Sequence, residues 1–261
     1  MEDNTRDKAR NASIVRRLAR QPGPCGQVRP TPEMGSHTTA SVENGSPTHL
    51  PPSRKMHDHY QRHAKAYADA TRDVDMAPLY QQFLSQLPNA PQSSWILDAG
   101  CGSGRDARAF LRAGHRVAAF DGSAELAMLA SEHTGLPICV VDFMSLDEAT
   151  PLGVPAGTRF NGIWACASLL HVAESDQLEA WARLWAWLAP GGVVYASYKL
   201  GEGERVDELG RPFTDATEPR LLAWLKSLKG VTQVRTWVSS DQRKGASQAW
   251  LNALVHRESR A

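Results

Sequence analysis

An apolar run of strand character, Trp95-Ile96-Leu97-Asp98-Ala99, passes without a break into Gly100-Cys101-Gly102-Ser103-Gly104 and then into Arg105-Asp106. Three glycines at alternate positions make a tight turn whose backbone a ligand can approach, because no side chain shields it. Such a turn belongs at the carboxyl end of a parallel strand, which obliges the rest of the chain to alternate strands with helices. The chain does so. Helices are predicted over 57–70, 76–87, 103–113, 123–133, 176–188 and 218–228, with Pro78 in an early turn, Pro88 as a stop, and Gly114 and Gly135 as closing residues. Strands are predicted over 95–99, 116–120, 138–141, 162–166 and 192–197, followed by a closing pair over 231–238 and 248–256. Leu178, Trp181, Leu184, Trp185 and Leu188 recur at helical spacing and predict a buried face. The fold class is α/β, a doubly wound and mostly parallel seven-stranded sheet.

Residues 1–55 are different in kind. They hold seven of the sixteen prolines and few large apolar side chains, too little to offset the entropy of ordering. We read them as a disordered, basic, Pro/Gly/Ser-rich tail with a short basic helix at 14–19, either a regulatory or targeting arm or an upstream-start artefact. Their nine Lys/Arg against five Asp/Glu, within a net charge of +1, leave residues 56–261 mildly acidic. A body without a basic stripe argues against nucleic acid, and no apolar run approaches the roughly 18 residues of a membrane span. Cys25, Cys101, Cys139 and Cys166 are scattered, with no Cys-x-x-Cys and no His at ligand spacing. This spacing implies reduced thiols, no metal and a cytoplasmic setting, in which the sequons at Asn11 and Asn44 carry nothing.

Two carboxylates extend the turn's chemistry. Asp121 ends the second strand seventeen residues past Gly104, where an acidic residue can accept hydrogen bonds from ribose hydroxyls; Asp142, followed by Phe143, ends the third. The Gly-x-Gly-x-Gly spacing is not the Gly-x-Gly-x-x-Gly of dinucleotide binders, and no phosphate-binding Gly-Lys-Ser/Thr is present. Acidic groups suit a cationic ligand better than a pyrophosphate.

The stretches 96–106, 117–122, 141–143, 160–172 and 188–195, including Leu188-Ala189-Pro190-Gly191-Gly192, resemble the successive motifs of class I S-adenosylmethionine-dependent methyltransferases. The similarity covers about 56–256 and is closest to bacterial small-molecule enzymes, some of them tellurite-resistance-like. It implies a Rossmann-like sheet with an antiparallel last strand, a methyltransferase domain over 56–261, and N-terminal helices at 57–90 acting as a lid. It also implies roles. Gly100, Cys101, Gly102 and Gly104 should line the methionine moiety of S-adenosyl-L-methionine, with Asp98 reaching its amino group. Asp121 and Gly122 should hold the ribose, Asp142 and Phe143 the adenine, and Cys166 should pass the methionine end. Asn161 stands where relatives usually carry Asp.

Methyl transfer by in-line displacement needs alignment above all, since the sulfonium brings its own leaving group. A small-molecule acceptor is favoured, because Ala167-Ser168-Leu169-Leu170-His171 lacks the signature of base-modifying enzymes. His171 is either a general base or a histidine packed at a helix start. Tyr198, Lys199, Arg205 and Arg211 form a polar cluster after the fifth strand. The three cations can grip an anionic acceptor, with Phe213 to pack on, or belong to a solvated loop; Tyr198 is a candidate for the chemistry, and Arg243 and Trp250 are weaker members. Tyr60, His63 and Tyr67 share a face of the first helix and are either lid or core. Alternative functions are a non-catalytic S-adenosylmethionine sensor, a methyltransferase acting on protein, and a nicotinamide oxidoreductase, the last opposed by the glycine spacing.

Overall fold

The structure is a computed structural model that describes residues 52–88, 94–243 and 245–259. Most of the tail and its 14–19 helix lie outside these residues. Among the described residues, nine strands and six α-helices follow one another: α1 Pro52–Thr71, α2 Ala77–Leu84, β1 Trp95–Ala99, α3 Arg105–Arg112, β2 Arg116–Asp121, α4 Ala124–Thr134, β3 Cys139–Val140, β4 Phe160–Ala165, α5 Gln177–Trp187, β5 Leu188–Lys199, β6 Glu204–Val206, β7 Pro212–Thr214, α6 Glu218–Leu225, β8 Val231–Ser240 and β9 Ala249–Arg257. Seven strands form one sheet in the order β3-β2-β1-β4-β5-β9-β8. The first five are mutually parallel, and β9 runs antiparallel to β5 and β8, as expected for a last strand of opposite sense.

Strand periodicity builds two cores, because neighbouring residues of a strand face opposite sides of the sheet. Leu97, Ala118, Ile163 and Val194 pack with Trp181, Leu184, Trp185, Leu221 and Trp224 on one side. Ile96, Val117, Trp164 and Tyr195 pack with Phe83, Phe110 and Ala130 on the other. The second core centres on Trp164, which stacks on Tyr195 at 3.9 Å and meets Phe83, Phe110 and Tyr80 at its edges. Both faces are thus covered, as a parallel sheet requires.

Several expectations need correction. Helix α1 starts at Pro52, so residues 52–55 belong to it and not to the tail; proline tolerates the first helical turn, where its missing N–H leaves no bond unmade. Leu178 is exposed, because it falls one residue outside the buried arc of Trp181, Leu184 and Trp185. The loop after β5 contains an unforeseen hairpin, β6–β7, too short for a pattern to betray it. Elsewhere local chemistry agrees with the sequence. Ser123 caps α4 by accepting the Leu126 N–H, Gly135 closes that helix with φ +76°, and the Asn161 side chain accepts the Trp95 N–H at 3.1 Å. No described helix is long and apolar enough to cross a membrane.

Gly162 on β4 leaves room for α2, since a Cβ there would come within 2.5 Å of Phe83 Cζ and 2.6 Å of Leu87 Cδ2. Gly162→Ala should therefore destabilise the protein by about 1–3 kcal/mol through overpacking. In urea denaturation this appears as a lower midpoint at an unchanged slope; an unmoved midpoint would show that the contact is not tight.

Candidate active site

The carboxyl ends of β1, β2 and β3 open into a cavity of about 240 Å³. Gly100 and Gly102 form its floor, and Asp121, Gly122, Asp142 and Phe143 stand along its wall. Asp121 is held in place by backbone: its Oδ2 accepts the Gly102 N–H at 2.8 Å and its Oδ1 the Ser123 N–H at 2.9 Å. Asp142 closes a turn by accepting the Ser145 N–H at 2.7 Å, and Phe143 is braced edge-on against Phe120. The glycines are required by close approach. A Cβ on Gly100 would lie 2.6 Å from Ser168 Cβ, and one on Gly102, where φ is +54°, would lie 3.2 Å from the Tyr67 ring.

Some expected residues fall outside the cavity wall. Asp98 is buried and accepts the Ala107 N–H of α3 at 2.9 Å, so it ties helix to strand; burial, then the charge of Asp106, pushes its carboxyl well above the usual range. Cys101 points into the core. Gly104 lets α3 pack on α4, because a Cβ there would lie 3.1 Å from the backbone of Ala130. Tyr198 is also misplaced by the sequence reading. It is fully buried on the opposite face of β5, donating to Gln177 at 2.8 Å and accepting from Trp181 at 3.1 Å, which excludes it from the chemistry. Arg205 pairs with Asp215 at 2.6 Å behind the wall.

A second cavity of about 150 Å³ adjoins the first. Alternation along β5 carries Tyr195, Ser197 and Lys199 into it, together with Cys166, Arg211, Phe213, Arg243 and Trp250. The sequence reading missed Arg105, Ser197, Asp241 and Asn252 in this wall; the period-two pattern of β5 was the available signal for Ser197. Tyr60, Tyr67, Ala167 and His171 line both cavities and so mark their junction, whereas His63 is exposed and lines neither. Ala167 holds a left-handed backbone at φ +52°, a conformation uncommon outside glycine, and its N–H is fixed by Ser197 Oγ at 2.9 Å. The two walls differ in charge. Asp121, Asp142 and Asp176 line the first with no Lys or Arg among the described residues, while Arg105, Lys199, Arg211 and Arg243 line the second against one carboxylate, Asp241.

At the junction, His171 Nδ1 lies 3.0 Å from the Pro212 carbonyl, which only accepts, so Nδ1 carries the proton. Nε2 therefore accepts from the Tyr60 hydroxyl at 3.1 Å. Burial pulls the His171 pKa down to about 3, against the pull of the Pro212 bond and with Arg211 and Lys199 adding to the fall. The imidazole is neutral, and its free lone pair is already engaged by Tyr60.

Residues 96–192 match a family model described as a methyltransferase domain. No curated protein sequence matches the chain. Among solved structures, the chain is similar to the 1,6-didemethyltoxoflavin-N1-methyltransferase of Burkholderia thailandensis, with TM-score 0.62 and 22% identity over 84% of this chain and 93% of that one. It is also similar to the magnesium protoporphyrin IX methyltransferase of Synechocystis PCC 6803, at 0.57 and 14% over 80% and 99%. A third is the N-methyltransferase NodS of Bradyrhizobium japonicum, at 0.52 and 15% over 77% and 99%. Residues 96–192 thus match a methyltransferase-domain model, and the sheet around them has the fold of these solved methyltransferases.

The depressed His171 pKa makes stability depend on pH. The unfolded chain binds this proton near 6.5 and the folded one only near 3, so the stabilisation is complete above about pH 6.5 and is lost as pH falls toward 3. Wild-type unfolding free energy should decline across that interval. The decline should be shallower in His171→Asn, measured by denaturant titration at each pH; equal slopes would contradict a neutral, buried imidazole.

Proposed function

We propose that this methyltransferase domain binds S-adenosylmethionine in the acidic cavity and moves its methyl group, by in-line displacement, to a small molecule held in the adjoining one. The observation that carries this reading is the junction: a glycine-floored cavity walled by carboxylates meets a second cavity across Ala167, Tyr60 and Tyr67.

The residues present fit the cofactor. A sulfonium nucleoside is cationic and carries ribose hydroxyls, which suits Asp121 with both oxygens pre-oriented by backbone N–H groups. Asp142 and Phe143 line the same cavity and would meet the adenine, while Gly100 and Gly102 would let the methionine part lie against the backbone. When bound, the sulfonium supplies an electrophilic methyl group and a neutral thioether as leaving group. The protein's own work is alignment and exclusion of water. Helix α1 spans the glycine turn, with Tyr67 against Gly102 and Thr71 Oγ1 3.5 Å from Ser103 Oγ, so it walls the reacting centre off from solvent. A proton released by the acceptor can pass to the Tyr60 oxygen as the Tyr60 hydroxyl proton moves onto His171 Nε2, which leaves the charge on a half-buried imidazole whose pKa is lowered. That cost favours acceptors needing little deprotonation. A small-molecule acceptor suits the size of the second cavity and accords with the named substrates of the toxoflavin and protoporphyrin enzymes. The scattered cysteines accord with work in the cytoplasm.

Calorimetric titration tests the cofactor assignment. S-adenosylmethionine should bind with micromolar affinity and NAD should not. Asp121→Asn should weaken binding about 10- to 100-fold, the loss expected for charge-assisted hydrogen bonds. A demonstrably folded protein that ignores S-adenosylmethionine would overturn the assignment.

A further inference from the structure

We infer that the acceptor is a small organic anion, bound through its anionic group to Lys199 over the face of Phe213. This rests on the proposed methyl transfer and specifies what the second cavity takes.

The argument begins with which cations in that wall are already answered. Arg105 is clamped to Asp106 at 2.6 Å, Arg211 to Asp207 at 2.7 Å and Arg243 to Asp241 at 2.6 Å. Lys199 is the exception among the wall cations: its ammonium stands 3.6 Å from the centroid of Phe213, with no carboxylate within ion-pair distance among the described residues. Arg205 and Arg211 stand by the same ring at 4.9 and 5.3 Å, so three cationic side chains gather around Phe213. Arg205 and Arg211 have Asp215 and Asp207 as counter-charges, whereas Lys199 has the ring, which attracts a cation but does not neutralise it. Lys199 is half-buried as well. Burial, followed by repulsion from Arg205 and Arg211, lowers its pKa, while Asp215 and Asp207 oppose the shift from a distance. A half-buried charge next to two others is held at a cost that an anionic ligand would relieve.

Position along the strand makes Lys199 an acceptor group. It ends β5 two residues beyond Ser197, which fixes the Ala167 N–H at the junction, and it pairs in register with Trp250 of β9, another wall residue. Phe213 links the ammonium to the junction, because its ring also packs on His171 at 4.9 Å. The Phe213 ring thus touches both the Lys199 ammonium and the histidine of the junction. The first cavity, lined by carboxylates, would repel the same anion, so the cleft sorts a cationic donor from an anionic acceptor by charge alone.

The test uses the full-length protein saturated with S-adenosylhomocysteine, with benzoate and inorganic phosphate as anion probes and benzamide as the neutral control, followed by tryptophan fluorescence and calorimetry. At least one anion should bind ten-fold or more tightly than benzamide. Lys199→Met should abolish that preference, and Lys199→Arg should retain part of it, with S-adenosylhomocysteine affinity unchanged in both. Anions no better than benzamide, or an undiminished preference in Lys199→Met, would overturn the inference while leaving the cofactor assignment intact. Failure to bind S-adenosylhomocysteine at all would instead strike the proposed function on which it rests.

Discussion

Three carboxylates are buried around a single glycine turn, and each must be satisfied for the sheet to close. Asp98, Asp106 and Asp121 are 2%, 6% and 8% exposed, so none can rely on water. Asp106 collects the indole N–H of Trp164 at 2.8 Å, the Tyr80 hydroxyl and two guanidinium N–H groups of Arg105. Burial alone would raise its carboxyl, but Arg105 and these donors hold it below the usual range. The network ties α2, α3 and β4 together at one point. Asp98 takes the Ala107 amide of α3, and Asp121 takes the Gly102 and Ser123 amides and so fixes the backbone of the turn itself. The geometry of the first cavity follows from this arrangement.

Division of labour among the turn's glycines shows how tightly the site is coupled to the fold. Gly100 and Gly102 face the cavity, yet the first admits Ser168 from the segment after β4 and the second admits Tyr67 from α1. Gly104 serves only the contact between α3 and α4. A motif that reads as one unit is therefore two cavity-lining positions and one packing position. The donor of order is the same in each case: a missing side chain lets another element come within van der Waals range.

Charge is partitioned along the cleft in the same economical way. The acidic half is made by strand ends β2 and β3, and the basic half by β5, the β6–β7 hairpin and the β8–β9 connection. Most of the arginines in the basic half are consumed by their own aspartates, which rigidifies the loops that carry them. The reacting junction lies between the halves, held by the Tyr60–His171–Pro212 chain and the strained backbone of Ala167. Strain and a half-buried neutral histidine, bonded at both ring nitrogens, fit a boundary held in a single geometry.

Much of this was legible in the sequence, for a reason that applies to local signals generally. Strand periodicity, the Gly-x-Gly-x-Gly turn and the spacing to Asp121 and Asp142 depend on neighbours close along the chain, so they specified the doubly wound sheet and the strand ends where the first cavity opens. The sequence could not tell which face of β5 would meet the cleft, since a one-residue choice sends Tyr198 to the core and Lys199 to the cavity. Nor could it distinguish Asp98 as a helix tie from Asp98 as a ligand, or show that Arg211 and Arg243 are already paired while Lys199 is not. Those outcomes rest on contacts such as Lys199 with Phe213 and Tyr60 with His171, between residues distant in sequence, and only the packed tertiary structure brings them together.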